Sequence, residues 1–331
     1  VWLYDEYPYP SGIAAGEVTA GHPEYEARIL KPYITTVQGP STLEMEMEFG
    51  KVLGAVACPV KNNFLLWEKR IDIGDYIGII YRDEIFLHGG LSRYNNKRYF
   101  TGDPAKKLIW PVPSGTWKVF VFIECRVRHF KYFGTFMDPL NRDAIARFIN
   151  LTHEQYKKHF GSEFGKTIKG IFTDETAPFG NDLPWSPLLP ELFLKKNGYD
   201  ITGNLPALFD NIGPGTDKIR YDYWNTAVEA FIESYDKQIH EWCIKNNLLY
   251  AGEKDILRSS HIQHMDIPGI DAGHDKTGAE PGIAPPRYRS NGKLLSSGCH
   301  FYEKERCLCE CFHSTGWGMT IQDMKWMLDW L

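Results

Sequence analysis

Acidic residues recur where short apolar segments of this sequence end. If these segments are parallel strands of one sheet, their carboxyl ends lie at the same edge and the carboxylates come together. Carboxylates that lie close together shift one another's pKa, so that one keeps its proton while another stays ionised. Such a pair supplies the acid and the base that cleave a glycosidic bond. Taken singly, each acid is explained as well by a helix cap or a solvated loop. The residues are Asp5, Glu6, Asp138, Asp174, Glu175, Glu253, Asp271 and Glu310.

Two of these positions stand out by their neighbours. Asp174 and Glu175 follow each other directly at the end of the apolar segment at 168–173. Because neighbouring side chains in a strand point to opposite faces, at most one of the two faces a site directly, and the other is placed to orient a neighbour. Glu310 shares its strand face with Leu308 and Phe312. A charge among apolar neighbours is costly unless it is paired or functional.

The composition favours a carbohydrate partner. Aromatic residues make up 14% of the 331 residues, with 10 Trp and 18 Tyr, and such flat apolar faces stack on sugars or on bases. The formal net charge of −5 argues against a nucleic-acid partner that depends on a positive field. Trp185 and Trp317 are the candidates for stacking on a sugar. No apolar stretch approaches the ~18 residues of a transmembrane helix, so no membrane partner is expected.

The cysteines allow a different interpretation, a module organised by a metal. Their number, 7, is odd; it does not fit a complete disulfide framework and favours a reducing compartment, and hence the cytoplasm over secretion. A late group of Cys and His offers zinc ligands, but its C-x-C-x-C spacing lacks the C-x-x-C of zinc knuckles and favours buried thiols. The group comprises Cys299, His300, Cys307, Cys309, Cys311 and His313. The absence of G-x-S-x-G, P-loop and G-x-G-x-x-G motifs argues against serine hydrolases, NTPases and dinucleotide-dependent enzymes.

Strand and helix patterns divide the chain into three parts. Residues 1–35 have the pattern of a short strand, a loop rich in Pro and Gly, and a helix that opens at His22-Pro23 and carries Ile29 and Leu30. Residues 36–131 are predicted to form a β-rich insertion, because residues 43–49 alternate strictly between apolar and acidic types. In residues 132–331 strands, the first at 133–137, alternate with helices, which predicts a parallel sheet with crossover helices.

A series of short motifs extends over nearly the whole chain. They are WLYDE at 2–6, PSG at 10–12, GTW at 115–117, FINLTHEQY at 148–156, FGKTI at 164–168, FTDE at 172–175, NGYD at 197–200, RYDYW at 220–224, PGID at 268–271 and GWG at 316–318. In these motifs and in their order the chain resembles the alpha-L-rhamnosidases of glycoside hydrolase family 106 and their uncharacterised bacterial relatives. Each motif is modest alone, but the ordered set is specific.

The resemblance implies an α/β fold with a catalytic (β/α)8 TIM barrel. The barrel would be incomplete in this chain, with parts at 1–35 and 132–331, would be interrupted by the β-rich insertion at 36–131, and would belong to a longer chain with additional domains. The resemblance also implies inverting hydrolysis of terminal alpha-L-rhamnosyl or similar sugar residues by two or three glutamates, often with an active-site calcium. By motif, Glu175 matches the general acid and Glu310 a group on the water-activating side. Glu253 is the candidate for a second such group, at a point where relatives carry Gly-His.

Under this interpretation the other acids and the two tryptophans contact the sugar. The predicted contacts are Asp5, Glu6, Asp138, Asp174, Trp185, Asp271 and Trp317. A non-catalytic carbohydrate-binding relative, or an inactive fragment of such an enzyme, would carry the same sequence features. Both stay open as alternatives to the enzyme.

Overall fold

The chain forms two compact units in a computed structural model. The model describes residues 1–88, 97–128, 130, 133–176, 183–254, 259–271, 286–312 and 317–331. The first unit, which we call the parallel unit, comprises Val1–Ala27, Arg128–Asn181 and Val228–Leu331. The second, the antiparallel unit, comprises Arg28–Val127 and Asp182–Ala227. None of the described helices is both long enough and apolar enough to cross a membrane.

The strands belong to two separate sheets, one in each unit. In chain order they are β1 (Trp2–Tyr4), β2 (Arg28–Glu48), β3 (Lys51–Lys61), β4 (Phe64–Leu65), β5 (Ile71–Asp72), β6 (Ile77–His88), β7 (Lys97–Arg126), β8 (Gly170–Thr173), β9 (Leu249–Glu253), β10 (Ile267–Asp271) and β11 (Leu308–Glu310). The helices are α1 (Arg142–Leu151), α2 (His153–Phe160), α3 (Leu189–Asn197), α4 (Thr216–Phe231), α5 (Lys237–Lys245), α6 (Ser259–Ile262), α7 (Pro286–Phe301) and α8 (Ile321–Trp330).

The sheet of the parallel unit has the order β1-β8-β9-β10-β11, with every pairing parallel. It is a curled half-barrel, and the mixed α/β class predicted from the alternating elements is confirmed. The register places Thr173 beside Gly252, Glu253 beside Gly269, and Asp271 beside Glu310. Since the strands are parallel and in register, their carboxyl ends lie at one edge of the sheet.

Helices cover this sheet as crossover connections predict. Helix α5 packs against β9, and α7 packs against β10. Asn141 is the N-cap directly before α1. Its side chain accepts hydrogen bonds from the backbone N–H groups of Asp143 and Ala144 and so satisfies donors of the first turn. A π-helical turn at Ile232–Asp236 joins α4 to α5, so the helical segment runs from Thr216 to Lys245.

The antiparallel unit is built on two long paired strands. Strand β2 pairs along its length with β7, which also pairs with β3 and β6. The alternation in β2 has the predicted effect: Met47 is buried in the core, while Glu44 and Glu46 form ion pairs of 2.8 Å with Lys107 and Arg82. The core contains apolar residues of several strands: Met47, Ala55, Ala57, Ile73, Leu108, Trp110, Val119, Val121 and Ile123.

Two predictions of secondary structure, for residues 22–30 and 133–137, are wrong. The helix expected from His22 to Leu30 is only a 3-10 turn at Pro23–Tyr25, because Ile29 and Leu30 pair with Cys125 and Glu124 and so begin β2. Partners distant in sequence thus override the local preference. The strand expected at 133–137 forms only isolated bridges, at Phe130–Gly134 and Glu26–Met137. The antiparallel sheet therefore starts at Arg28 rather than at residue 36, and its unit also includes Asp182–Ala227.

Candidate functional site

Three carboxylates meet at the carboxyl edge of the parallel sheet. Asp174 directly follows β8, Glu253 ends β9 and Glu310 ends β11. One carboxylate oxygen of each lies within 4.8 Å of those of the other two. Asp174 and Glu253 are buried, and Glu310 is half-buried. Three ionised carboxylates this close repel one another unless a proton or a cation lies among them.

Alternation along the strands explains why these side chains converge. The Tyr250 hydroxyl donates to Asp236 in the helical layer at 3.1 Å, so Tyr250 marks the helix-covered face of the sheet. Glu253 is three residues later and lies on the opposite face, which we call the site face. The Thr173 hydroxyl also bonds to Tyr250, at 3.0 Å, so the next residue, Asp174, belongs to the site face as well.

Tyr4 and Glu6 extend the site face along β1. The Tyr4 hydroxyl donates to Oδ2 of Asp174 at 2.5 Å, and its ring stacks on Phe172 at 4.9 Å. Burial and this hydrogen bond raise the pKa of Tyr4, so the hydroxyl remains a donor. Burial, and then the negative charge of Asp174, raise the pKa of Glu6; Glu310 contributes in the same direction. Glu6 therefore belongs to the electrostatic environment of the three carboxylates.

Glu175 separates from Asp174 at the end of β8. Its φ of +43° lies in the left-handed region, so the chain leaves the extended conformation there. Its carboxylate is half-buried and accepts a hydrogen bond from the Tyr9 hydroxyl. Of the two adjacent acids, Asp174 joins the three-carboxylate group, while Glu175 is held by the loop that follows β1.

Two acids predicted to contact sugar are buried and bonded to protein groups. Asp5 accepts a hydrogen bond from Nε2 of His153 at 2.9 Å and another from the Ser11 hydroxyl, and its side chain has no exposed surface. Asp138 is 2% exposed and accepts a hydrogen bond from the backbone N–H of Leu140 at 3.0 Å. Both carboxylates are therefore buried from solvent and engaged by protein groups.

The remaining predicted contacts are scattered. Trp185 belongs to the antiparallel unit, is 1% exposed and donates through its indole N–H to Glu124 at 2.9 Å, so neither ring face is available for stacking. Trp317 is fully exposed. The backbone of Asp271 pairs with Glu310 at the carboxyl edge, and its side chain lies outside the described residues.

The sequence analysis did not predict a buried group of charged side chains that includes Lys254, the residue after Glu253. Asp236 forms an ion pair of 2.8 Å with Nζ of Lys254 and one of 2.6 Å with Nδ1 of His261. Nζ of Lys254 also lies 4.5 Å from the centre of the Tyr235 ring. Burial alone would raise the pKa of Asp236, but the charges of Lys254 and His261 outweigh it and hold the pKa at about 2. The available signal was an acidic residue, Asp236, among the apolar residues Ile232, Tyr235 and Ile239 of the sequence.

Two of the late cysteines, Cys299 and Cys309, pack beside β10, and no grouping with metal-site spacing among the described residues includes a cysteine. Cys299 is buried with Ile270 and Leu295, Cys309 packs against them, and Cys307 is exposed. Among the described residues, the group of Asp174, Glu253 and Glu310 alone has the spacing of a metal site. His313 lies outside the described residues.

The chain is similar in sequence to one protein family and in structure to a solved protein. The sequence profile of the alpha-L-rhamnosidase family, glycoside hydrolase family 106, matches residues 102–330. Among the solved structures that match is a rhamnosidase from Novosphingobium sp. PP1Y, with a TM-score of 0.50 and 13% sequence identity over 93% of this chain. The chain spans 45% of the length of that protein. At this identity the likeness shows the fold alone. No protein of curated function matches the chain.

Proposed function

Since the chain belongs to the alpha-L-rhamnosidase family, glycoside hydrolase family 106, we propose that it carries the active site of a glycosidase. The reaction we propose is the inverting hydrolysis of terminal alpha-L-rhamnosyl or similar residues from glycosides or polysaccharides. The observation that carries the proposal is the convergence of Asp174, Glu253 and Glu310 at the carboxyl edge of the parallel sheet. In barrel enzymes this edge is where catalytic residues gather from separate strands.

The spacing of the carboxylates supports a role for all three on one side of the substrate. In inverting glycosidases the acid and the base stand about 6.5–9.5 Å apart, leaving room for the attacking water. One oxygen each of Asp174, Glu253 and Glu310 lies within 4.8 Å of the other two, which is shorter than this spacing and also slightly below the about 5–5.5 Å between the two carboxyl groups of a retaining enzyme. We therefore propose that the proton donor comes from outside this group. Glu175 lies next to Asp174 in the chain and is half-buried, which fits that role.

The proposed reaction is a single displacement at the anomeric carbon. Glu175 donates its proton to the glycosidic oxygen as the bond to the leaving group breaks. Glu310, with Glu253 beside it, accepts a proton from the water that attacks the opposite face of the sugar. Tyr4, held on Asp174 at 2.5 Å, fixes that carboxylate in place beside them.

The three carboxylates also suit a calcium ion. Calcium takes oxygen ligands at about 2.3–2.6 Å, so two ligands of one ion lie no more than about 5 Å apart. The oxygens of Asp174, Glu253 and Glu310 meet this limit at 4.8 Å, and an all-oxygen set favours calcium over zinc. A bound calcium would offset their mutual repulsion and orient sugar hydroxyls. Asp174, Glu253 and Glu310 are the residues that would hold it.

The arrangement of the parallel unit supports a proposal about the architecture of the whole catalytic domain. Its five parallel strands form a curled half-barrel, and we propose that this unit is a portion of a (β/α)8 barrel. The antiparallel segment would be the β-rich insertion predicted at 36–131. The partners expected under this proposal are a carbohydrate substrate and additional domains of the same chain.

Replacing Glu175 tests the proposed acid. In the full-length protein Glu175→Gln should fold normally and lose about 10²–10⁴-fold in turnover, because general acid catalysis is removed. The loss should shrink for aryl alpha-L-rhamnosides whose leaving groups have a low pKa, since they need little protonation. Glu163→Gln, an exposed position in the same unit, is the matched control.

Two outcomes would change the proposal. Full activity of Glu175→Gln on a natural rhamnosylated oligosaccharide would remove Glu175 from the mechanism. A wild-type protein that binds sugar in calorimetry but hydrolyses no glycoside would instead support the non-catalytic carbohydrate-binding relative.

A further inference from the structure

Ser11 holds the segment on both sides of Glu175. Its backbone N–H donates to the carbonyl of Asp174 at 3.0 Å, and its hydroxyl accepts from the N–H of Asp174 at 2.7 Å. Its own carbonyl accepts from the Thr176 hydroxyl at 2.5 Å. Ser11 has no exposed surface. A single buried serine thus fixes the residues immediately before and after the proposed proton donor.

The Ser11 hydroxyl is in turn fixed by a buried acid. It donates to Oδ1 of Asp5, whose Oδ2 accepts from Nε2 of His153 at 2.9 Å. The side chains of Asp5 and His153 are both fully buried. The imidazole also contacts the Thr152 hydroxyl, 3.2 Å from Nδ1, and packs edge-to-face with the Phe148 ring at 5.2 Å. A continuous series of hydrogen bonds therefore connects His153, the first residue of α2, through Asp5 and Ser11 to the turn at Glu175.

The conformation of Glu175 requires such support. A φ of +43° is unfavourable for a residue with a Cβ and persists where the surroundings over-determine it. The bonds of Ser11 to Asp174 and Thr176 supply that constraint on the backbone. The hydrogen bond from Tyr9, which lies in the same loop as Ser11, constrains the carboxylate of Glu175.

We propose that Ser11 and the Asp5–His153 pair are positioning residues for the proton donor Glu175. Because Asp5 is fully buried and bonded on both oxygens, its part is to hold Ser11 and not to touch the sugar. This inference rests on the proposed function, in which Glu175 protonates the leaving group. Displacement of a catalytic group by about 1 Å can cost about 10²-fold in rate, so the hydrogen bonds behind Glu175 should be visible in turnover.

Ser11→Ala is the direct test, with Ser234→Ala as its matched control. Ser234 is another buried serine of the parallel unit, and its hydroxyl donates to backbone carbonyls of Pro139 and Phe231. With aryl alpha-L-rhamnosides of high and low leaving-group pKa, Ser11→Ala should lose about 10–10²-fold in kcat on the poor leaving group and much less on the good one. Ser234→Ala should leave the ratio of the two rates at the wild-type value.

A second pair of variants guards against misfolding. His153→Gln keeps an N–H donor for Asp5 and should preserve the wild-type ratio, whereas His153→Leu removes it and should change the ratio as Ser11→Ala does. Loss of folded protein alone lowers both rates equally and leaves the ratio unchanged. An unchanged ratio in Ser11→Ala, with an active wild type, would overturn the positioning role.

An inactive wild type would count against the proposed function and leave the positioning role measurable. In crystal structures of wild type and Ser11→Ala, the account expects Glu175 to leave its left-handed φ or to lose the Tyr9 hydrogen bond in the variant. Retention of both features would overturn the inference independently of any activity.

Discussion

Replacing Asp236 should remove a defined part of the acid sensitivity of this protein. Asp236 has no exposed surface and lies 2.8 Å from Nζ of Lys254 and 2.6 Å from Nδ1 of His261. Burial alone would raise its pKa, but these charges hold the pKa at about 2, below the ordinary 3.8. A shift of nearly two units corresponds to about 2 kcal/mol of folding free energy.

The sign of the pH dependence follows from the lowered pKa. The stabilisation is fully present above pH ~4, where the unfolded chain is ionised, and is lost as the pH falls through the folded pKa near 2. About 1 kcal/mol of it should disappear between pH 6 and pH 3. Asp236→Asn should lack this component. It should also cost about 3–5 kcal/mol near neutral pH, because Lys254 and His261 lose the negative charge they share in the interior.

The assay is urea unfolding followed by tryptophan fluorescence and circular dichroism from pH 7 to pH 3. The gap in unfolding free energy between wild type and Asp236→Asn should narrow by about 1 kcal/mol over that range. Asp217→Asn, at a fully exposed side chain, is the control and should show a constant gap near zero. A gap for Asp236→Asn that is below 1 kcal/mol at pH 7, or that does not narrow, would refute the assignment of a shared buried charge.

Two further predictions concern calcium binding and the role of Trp185. Added calcium should raise the unfolding free energy of the wild type by about 2.7 kcal/mol at a hundredfold excess over its Kd, and should not do so in Glu310→Gln. Equal stabilisation of both proteins, measured by differential scanning fluorimetry with and without chelator, would exclude the three carboxylates as the calcium site. Trp185→Phe should lose about 1–3 kcal/mol of stability, because the bond to Glu124 is broken, with KM unchanged. A large rise in KM at wild-type stability would restore Trp185 as a sugar contact.

The positions at strand ends were the part of the site that the sequence could reveal. The parallel strands β8, β9 and β11 each carry an acid at their carboxyl end, and simple alternation then places Asp174, Glu253 and Glu310 on one face. The repeated strand-helix units also predicted that these strands are parallel, whereas their order in the sheet comes from the structure. Alternation at Asp174 and Glu175 also indicated that the two would take different roles.

The supporting residues escaped because burial depends on partners distant in sequence. Asp5 looked like one more acid at a strand end, but a histidine 148 residues away engages it in a buried hydrogen bond. Trp185 looked like a sugar platform in a proline-rich loop, yet it packs in the core of the antiparallel unit. The apolar residues near Ile29 are spaced as in a helix, but the segment forms a strand because it pairs with β7. In each case the deciding contact lies outside any local window.

The stereochemistry of sugar release tests the central claim most directly. Proton NMR of the anomeric region, recorded during the first minutes of hydrolysis of an aryl alpha-L-rhamnoside by the full-length protein, distinguishes the anomer formed by the enzyme from its slow mutarotation product. An acid at Glu175 that acts across the sugar from the three grouped carboxylates predicts that beta-L-rhamnose appears first. First appearance of the alpha anomer would show a retaining enzyme and contradict this division of roles.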